Sequence, residues 1–168
     1  MLRQLAKTKP ISNVRITVRD LDGNITEQVV LKNTITNLLF NLYRDALAGD
    51  WGNILDAKIK HIAIGTDNTL PAVTDTTLGV EVYRVPLTDE DVTVTAQYTT
   101  VFYLAPDEPA AGAAIKELGW FAGTGSLDWG GGAGADTGTL IARVLWTHTK
   151  TTVESIQFER IDKIEEKV

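Results

Sequence analysis

NVRITVRDLDGNITEQVVLK, residues 13–32, decides the fold. Val14, Ile16 and Val18 alternate with Arg15, Thr17 and Arg19. A period of two places the apolar set on one face of a pleated strand and the polar set on the other. The alternation stops at Asp-Leu-Asp-Gly-Asn, where the Asp-Gly pair favours a tight reversal. ITEQVVLK then supplies a return strand. The stretch predicts a β-hairpin with one face turned towards a core. The same turn offers carboxylates as a calcium loop does, but it lacks the third oxygen ligand and the closing Glu at the right distance. A hairpin turn explains it better.

The period changes after the hairpin. In NTITNLLFNLYRDALAG, Ile35, Leu38, Leu39, Leu42, Tyr43, Ala46 and Leu47 recur at helical spacing. This predicts a helix over about 34–48, capped by Asn33 or Thr34 and closed by Gly49. From there the chain turns to β. IKHIAIG (59–65) reads as a short buried strand and DVTVTAQYTTVFYLA (91–105) as one long alternating strand. AIKELGWFAG, GTLIARVLWTHTK and TVESIQFERID complete the set, rich in β-branched and aromatic residues. Pro, Gly, Asp and Thr fill the connections.

The expected fold is mostly β with one α-helix: an antiparallel β-sandwich or barrel-like sheet with the helix packed on it. Residues 13–162 form a single domain. Residues 1–12, polar and basic with Pro10 among them, read as an N-terminal arm. Residues 163–168 read as a charged tail. The Gly-rich segment 123–138 reads as a projecting flexible loop anchored by Trp129.

Composition narrows the function. The chain has 168 residues, 43% of them hydrophobic, enough for one core. A net charge of −6 argues against a broad nucleic-acid surface. The absence of cysteine removes disulfides, zinc-thiolate sites and thiol catalysis. No apolar run approaches the ~20 residues of a membrane helix, and the N-terminus has no signal-peptide core. A soluble protein made in the cytoplasm, with neither membrane nor nucleic acid as a partner, is expected.

Tests for catalytic chemistry give little. His61 and His148 are the only histidines, each within a strand pattern and without ligands at metal-binding spacing. The three serines, Ser12, Ser126 and Ser155, lie in no nucleophile elbow. GGGAGADTG runs into a strand, whereas a dinucleotide fingerprint runs into a helix that holds the pyrophosphate. The carboxylates of TDEDV (88–92) read as a solvated loop face. The Asn24–Thr26 sequon means little without a secretion signal. No catalytic, metal or cofactor residues are assigned, and an enzyme is not expected.

One set of segments carries a resemblance. IKHIAIGTDNTLPAVTDTTLGVEVYR (59–84), IKELGWF (115–121), GTLIARV (138–144) and HTKTTVESIQFER (148–160) follow one another in order, after a KNTITN helix entry. Together they resemble tailed-bacteriophage structural proteins of the tail-collar-fibre type, over about residues 33–161. Residues 1–32 add an arm and hairpin to that pattern, and no fibrous shaft or receptor-binding tip follows. The resemblance implies a non-enzymatic virion component. Its partners would be other virion proteins, either major capsid or tail and baseplate proteins, and copies of itself, for instance as a trimer. Two positions stay open, one at the tail, baseplate or collar and one as a capsid decoration protein.

Interface residues are expected on that reading. Arg3, Lys7 and Lys9 would reach from the arm. Tyr83 and Arg84, with Trp120, Phe121 and Trp129, would meet a neighbouring subunit. Equally, Trp120 and Phe121 alternate on a strand, so one of them belongs to the core. Asp75 and Thr76 are placed to close a local turn, and Glu81 to pair with Arg84 if that segment is helical. A carbohydrate-binding β module is the alternative, with Trp51, Trp120, Trp129 and Trp146 as stacking platforms.

Overall fold

The computed structural model describes the backbone of residues 7–49, 58–108, 114–123 and 135–167. The side chains of residues 7–10 and 164–167 lie outside the description, as do Arg3, Trp51 and Trp129 entirely. The strands are β1 (Lys7–Asp20), β2 (Ile25–Lys32), β3 (Thr34–Ile35), β4 (Ile59–Gly65), β5 (Glu81–Asp91), β6 (Gln97–Leu104), β7 (Ala114–Ala122), β8 (Thr139–Thr149) and β9 (Glu154–Lys167). The helix α1 runs from Asn37 to Ala48. Every pairing is antiparallel, in the order β2-β1-β9-β6-β5-β4-β7-β8-β3.

The sheet curls until its two ends share one core. Val14, Ile16 and Val18 of β1 bury against Ile62 and Ile64 of β4, Trp120 of β7, Val144 and Trp146 of β8, and Phe158 of β9. The result is a nearly closed barrel with one helix among the described residues, the architecture that the alternation and the helical stretch predict. Between β2 and β8 the closure is made by side chains. The Trp146 indole N–H donates to Glu27 at 3.2 Å, and His148 sits between Glu27 (3.2 Å) and Glu154 (2.9 Å), stacked on Trp146.

The hairpin at 13–32 forms with its predicted faces. Asp20 fastens its turn by accepting the amides of Asp22 at 3.0 Å and Asn24 at 2.8 Å. The Asn24 side chain and amide together hold that carboxyl below its ordinary pKa. The carboxylate is thereby spent on the turn.

Four boundaries differ from expectation. Residues 163–167, expected as part of a charged tail, are the end of β9 and pair with residues 7–11 of β1. β1 begins at Lys7, so the described part of the arm is strand, paired with the end of β9. Pro10 is tolerated because β2 pairs only with Asn13–Arg19, leaving that stretch of β1 with one ladder neighbour. The helix starts later than 34, since Thr34 and Ile35 pair with Arg143 and Ala142 as β3. Thr36 is the N-cap by position, but its hydroxyl donates to the Leu140 carbonyl at 2.6 Å and makes no side-chain cap bond. Gly49 closes the helix in the left-handed conformation, as predicted. The long strand expected over 91–105 is two. β5 ends at Asp91, whose carboxylate takes the Thr93 amide, and the chain turns through Ala96 at φ 58 before β6 begins. Local alternation cannot distinguish a strand from a hairpin tip of the same composition.

Among the described residues, no helix is long and apolar enough to cross a membrane.

Candidate functional site

Two features stand out on this frame: a buried ionic clamp on the outer face of the sheet, and an open apolar cavity beneath the helix.

The clamp begins with parity. Leu118 and Trp120 of β7 point into the barrel, so Glu117, Gly119 and Phe121 point out. Outside, the segment 66–80 lies over them. Leu78 inserts beside Ala63, Phe121 and Leu140, forming a small second core. Gly119 permits this, because a Cβ there would meet Leu78 Cδ2 at 2.7 Å and Leu140 Cδ1 at 2.9 Å.

Glu117 ties the segment down. Its Oε1 accepts the amides of Asp67 (3.2 Å) and Val80 (3.0 Å), and its Oε2 accepts the Gly79 amide (3.1 Å). The same carboxylate holds Arg143 of β8, whose Nε donates at 2.8 Å and whose Nη2 lies 2.7 Å away. Arg143 also reaches Asp75 at 2.9 Å and Asp67 at 3.4 Å. Burial alone would lower the pKa of the Arg143 guanidinium, but its bonds to Asp75 and Glu117 outweigh burial and raise it. Asp75 closes the expected local turn as well, by accepting the Ala72 amide at 2.9 Å. A segment with no helix or strand of its own thus becomes a fixed surface.

Arg84 and Glu81 make a second buried pair beside it, with Nη2 3.0 Å from Oε2. The segment is strand rather than helix. Residues three apart on a regular strand face opposite ways. A bulge in the β4–β5 pairing, where Ile64 partners Tyr83 but Gly65 partners Glu81, adds one residue and returns both to the same face. The Arg84 guanidinium lies 4.0 Å over the Phe121 ring and donates to the Thr137 carbonyl at 2.7 Å.

This geometry corrects three of the interface expectations. Trp120 and Phe121 both expose 0%, and Arg84 only 2%. The sheet is covered on both faces here, Trp120 by the barrel interior and Phe121 by Arg84 and the 66–80 segment. The expectation that one of the two aromatics is core holds for both, and none of the three side chains offers a face to another subunit. Tyr83 is partly buried, with its hydroxyl donating to Glu108 at 3.0 Å. Burial and Glu108 push it up to about 12. Lys7 and Lys9 pair through their backbones with Lys167 and Glu165. Arg3 and Trp129 fall outside the described residues, as does most of the Gly-rich segment 123–138. Trp146 is also buried, so neither described tryptophan offers a platform for stacking a sugar.

The second feature is a cavity of about 650 Å³ at one end of the barrel. Leu39, Phe40 and Tyr43 of α1 line one side, and Val92 and Val94 of the β5–β6 turn another. The helix is weakly covered. None of its residues is buried, Leu39 and Leu42 pack partly on the core, and Phe40, Tyr43 and Leu47 are 46%, 58% and 74% exposed. Val92 and Val94 across the opening are 70% and 50% exposed. The Asn37 amide donates to the Val73 carbonyl at 2.7 Å, so the helix abuts the clamped segment, whose Leu70 and Val73 are exposed too. Single exposed apolar residues are ordinary on a protein surface, but a cluster around an open apolar cavity is an adhesive feature.

No group of three or more His, Asp or Glu able to hold a metal occurs among the described residues. Sequence reading missed Glu117, Arg143 and Arg160 as organising residues. The signal available was a charged residue inside an otherwise apolar strand run, as Arg143 is in Leu140–Trp146. No protein-family model, curated protein or solved structure matches the chain.

Proposed function

We propose that this chain is a non-enzymatic structural component of a tailed-phage virion, which associates with copies of itself and attaches to the particle surface. The observation that carries the adhesive part is the apolar band of Phe40, Tyr43, Val92 and Val94, exposed around the cavity at the end of the barrel, with Leu47 exposed farther along the same helix. Binding energy at interfaces concentrates in such apolar and aromatic anchors. The phage part rests on the ordered segments and on what they do together. Asp75 and Arg84 come from one segment of that pattern and Glu117 and Arg143 from two others, and they meet in one pair of adjoining ionic clusters that fixes the 66–80 surface. A rigid presented surface favours binding, because little order remains to be lost on association.

Self-association is tested by native mass spectrometry and sedimentation of the wild type, Leu47→Ser and Val92→Ser. Both residues are exposed, so the variants keep the fold. The reading expects an oligomer whose dissociation constant rises at least about ten-fold, about 1.4 kcal/mol, in either variant. A wild type that stays monomeric at high concentration would count against it. Cross-linking within intact particles tests attachment. Links to the shell lattice select a decoration role, links near the portal or baseplate select a tail role, and absence from the particle removes the assignment.

A further inference from the structure

Among the described residues, no strand ladder closes the barrel between β2 and β8. β2 ends the sheet on one side, and β3, which ends it on the other, covers only Arg143 and Ala142 of β8. Glu27 bridges the gap from β2. It pairs with Val18 and shares its inward face. One of its carboxylate oxygens takes the Trp146 indole N–H at 3.2 Å, and the other meets His148 Nδ1 at 3.2 Å. The second ring nitrogen of His148, Nε2, lies 2.9 Å from Glu154 of β9. The ring itself stacks on Trp146 with centroids 4.8 Å apart.

Counting donors fixes the state of the ring. An ionised carboxylate only accepts, so both nitrogens of His148 must donate for both contacts to be hydrogen bonds. That is the imidazolium form. A neutral imidazole has one N–H and one lone pair, and the lone pair would face a carboxylate. Glu154 favours its charged form: burial opposes ionisation, but bonds from His148 and the Thr151 amide outweigh it. The charged groups around the ring are Glu27 from β2, Glu154 from β9 and Lys150 just past β8, whose ammonium is held by the Pro106 and Thr151 carbonyls. Ile115, which pairs with His148 from β7, brings no charge. Asp20, which pairs with Glu154 from β1, is engaged in its own turn.

We propose that His148 is a proton-operated latch: charged, it fastens β2 to β8 and β9; neutral, it lets go of β2 and the barrel opens along that seam. The distances give the side that is released. Glu154, the nearer carboxylate, keeps the one remaining N–H, and Glu27 is left facing the lone pair. The closed seam binds the proton that the open seam gives up, so closure holds while the ring is charged and is lost as pH rises across about 5 to 8, where an imidazole changes charge. Farther along β9, beside the cavity, Arg160 is held by Ser12 and Asp162 and keeps its charge throughout. Loosening is therefore confined to the His148 end. The latch is independent of the particle role proposed above.

The test measures the seam directly. The chain has no cysteine, so Val30→Cys on β2 and Thr147→Cys on β8, both exposed positions, take nitroxide labels without competition. Pulsed electron spin resonance then gives their separation in the full chain across about pH 5 to 8. A single short separation is expected on the acid side and a longer, broader one on the alkaline side. The Trp146 indole N–H, assigned with Trp146→Phe, reports the same event. Its hydrogen-exchange protection factor should fall at least about ten-fold across the range, the scale of one charge-assisted hydrogen bond. His148→Arg, charged throughout, should keep the short separation at every pH. His148→Gln, which like the neutral ring offers one donor and one acceptor side, should show the longer separation throughout. If either variant fails to fold, the wild-type pH series decides. A wild-type separation or protection factor that ignores pH, or a pH dependence that persists in His148→Arg, would overturn the latch.

Discussion

Replacing Glu117 by Gln tests whether the clamp holds the outer surface. The substitution preserves shape and removes one charge. The retained carbonyl oxygen can still accept the Asp67 and Val80 amides, as Oε1 does at 3.2 and 3.0 Å. The new amide nitrogen replaces Oε2, which accepts the Gly79 amide at 3.1 Å and Arg143 Nε at 2.8 Å. Donor would then face donor at three contacts, since Arg143 Nη2 also lies 2.7 Å from Oε2. Arg143 would keep Asp75 at 2.9 Å and Asp67 at 3.4 Å, both partly exposed, and lose its buried partner. Breaking a buried pair from one side costs about 3–5 kcal/mol. For a chain of this size, 1 kcal/mol moves Tm by about 2–4 °C, so a fall of roughly 6–20 °C is expected. Urea unfolding should give the same loss through the midpoint, with an unchanged slope. Hydrogen exchange adds a local readout. The Gly79 amide should lose protection first, whereas amides of the β1–β9 ladder change only through the global loss. A cost below about 1 kcal/mol, or uniform exchange across both regions, would refute the argument.

The remaining expectations concern packing and pH. Gly119→Ala drives a Cβ against Leu78 and Leu140, so it should destabilise by about 1–3 kcal/mol, and a paired Leu78→Ala should recover part of that in a double-mutant cycle. Tyr83 carries a pKa raised from 10.0 to about 12 by burial and Glu108. Its neutral form is the one the fold favours, so this stability is complete below pH 10 and is lost as pH rises towards 12; Tyr83→Phe should flatten that part of the stability profile, read by urea midpoints and phenolate absorbance. Glu154 is lowered from 4.5: burial opposes ionisation, but bonds from His148 and the Thr151 amide outweigh it. Its contribution is present above 4.5 and fades as pH falls through the lower folded value; Glu154→Gln should remove that acid-side dependence in the same assay.

The sequence alone determined the hairpin, the helix after it, its glycine stop and the antiparallel β class. Each of these is local. Alternation at Val14, Ile16 and Val18, helical spacing from Leu38 to Leu47 and the left-handed tolerance of Gly49 all act within a few residues. It also presented the segments that later meet, but not how they meet. Which faces are buried was decided by the tertiary structure. Phe121 is core because a segment some forty residues earlier folds over it, and Arg84 faces Glu81 because a bulge shifts parity by one. Arg143 on β8 and Glu117 on β7 are drawn to each other, and to Asp75, by the expense of burying any one charge alone. No window along the chain contains these partners together, because the pairing of β7 with β8 and the fold of 66–80 over them are what bring them to one place.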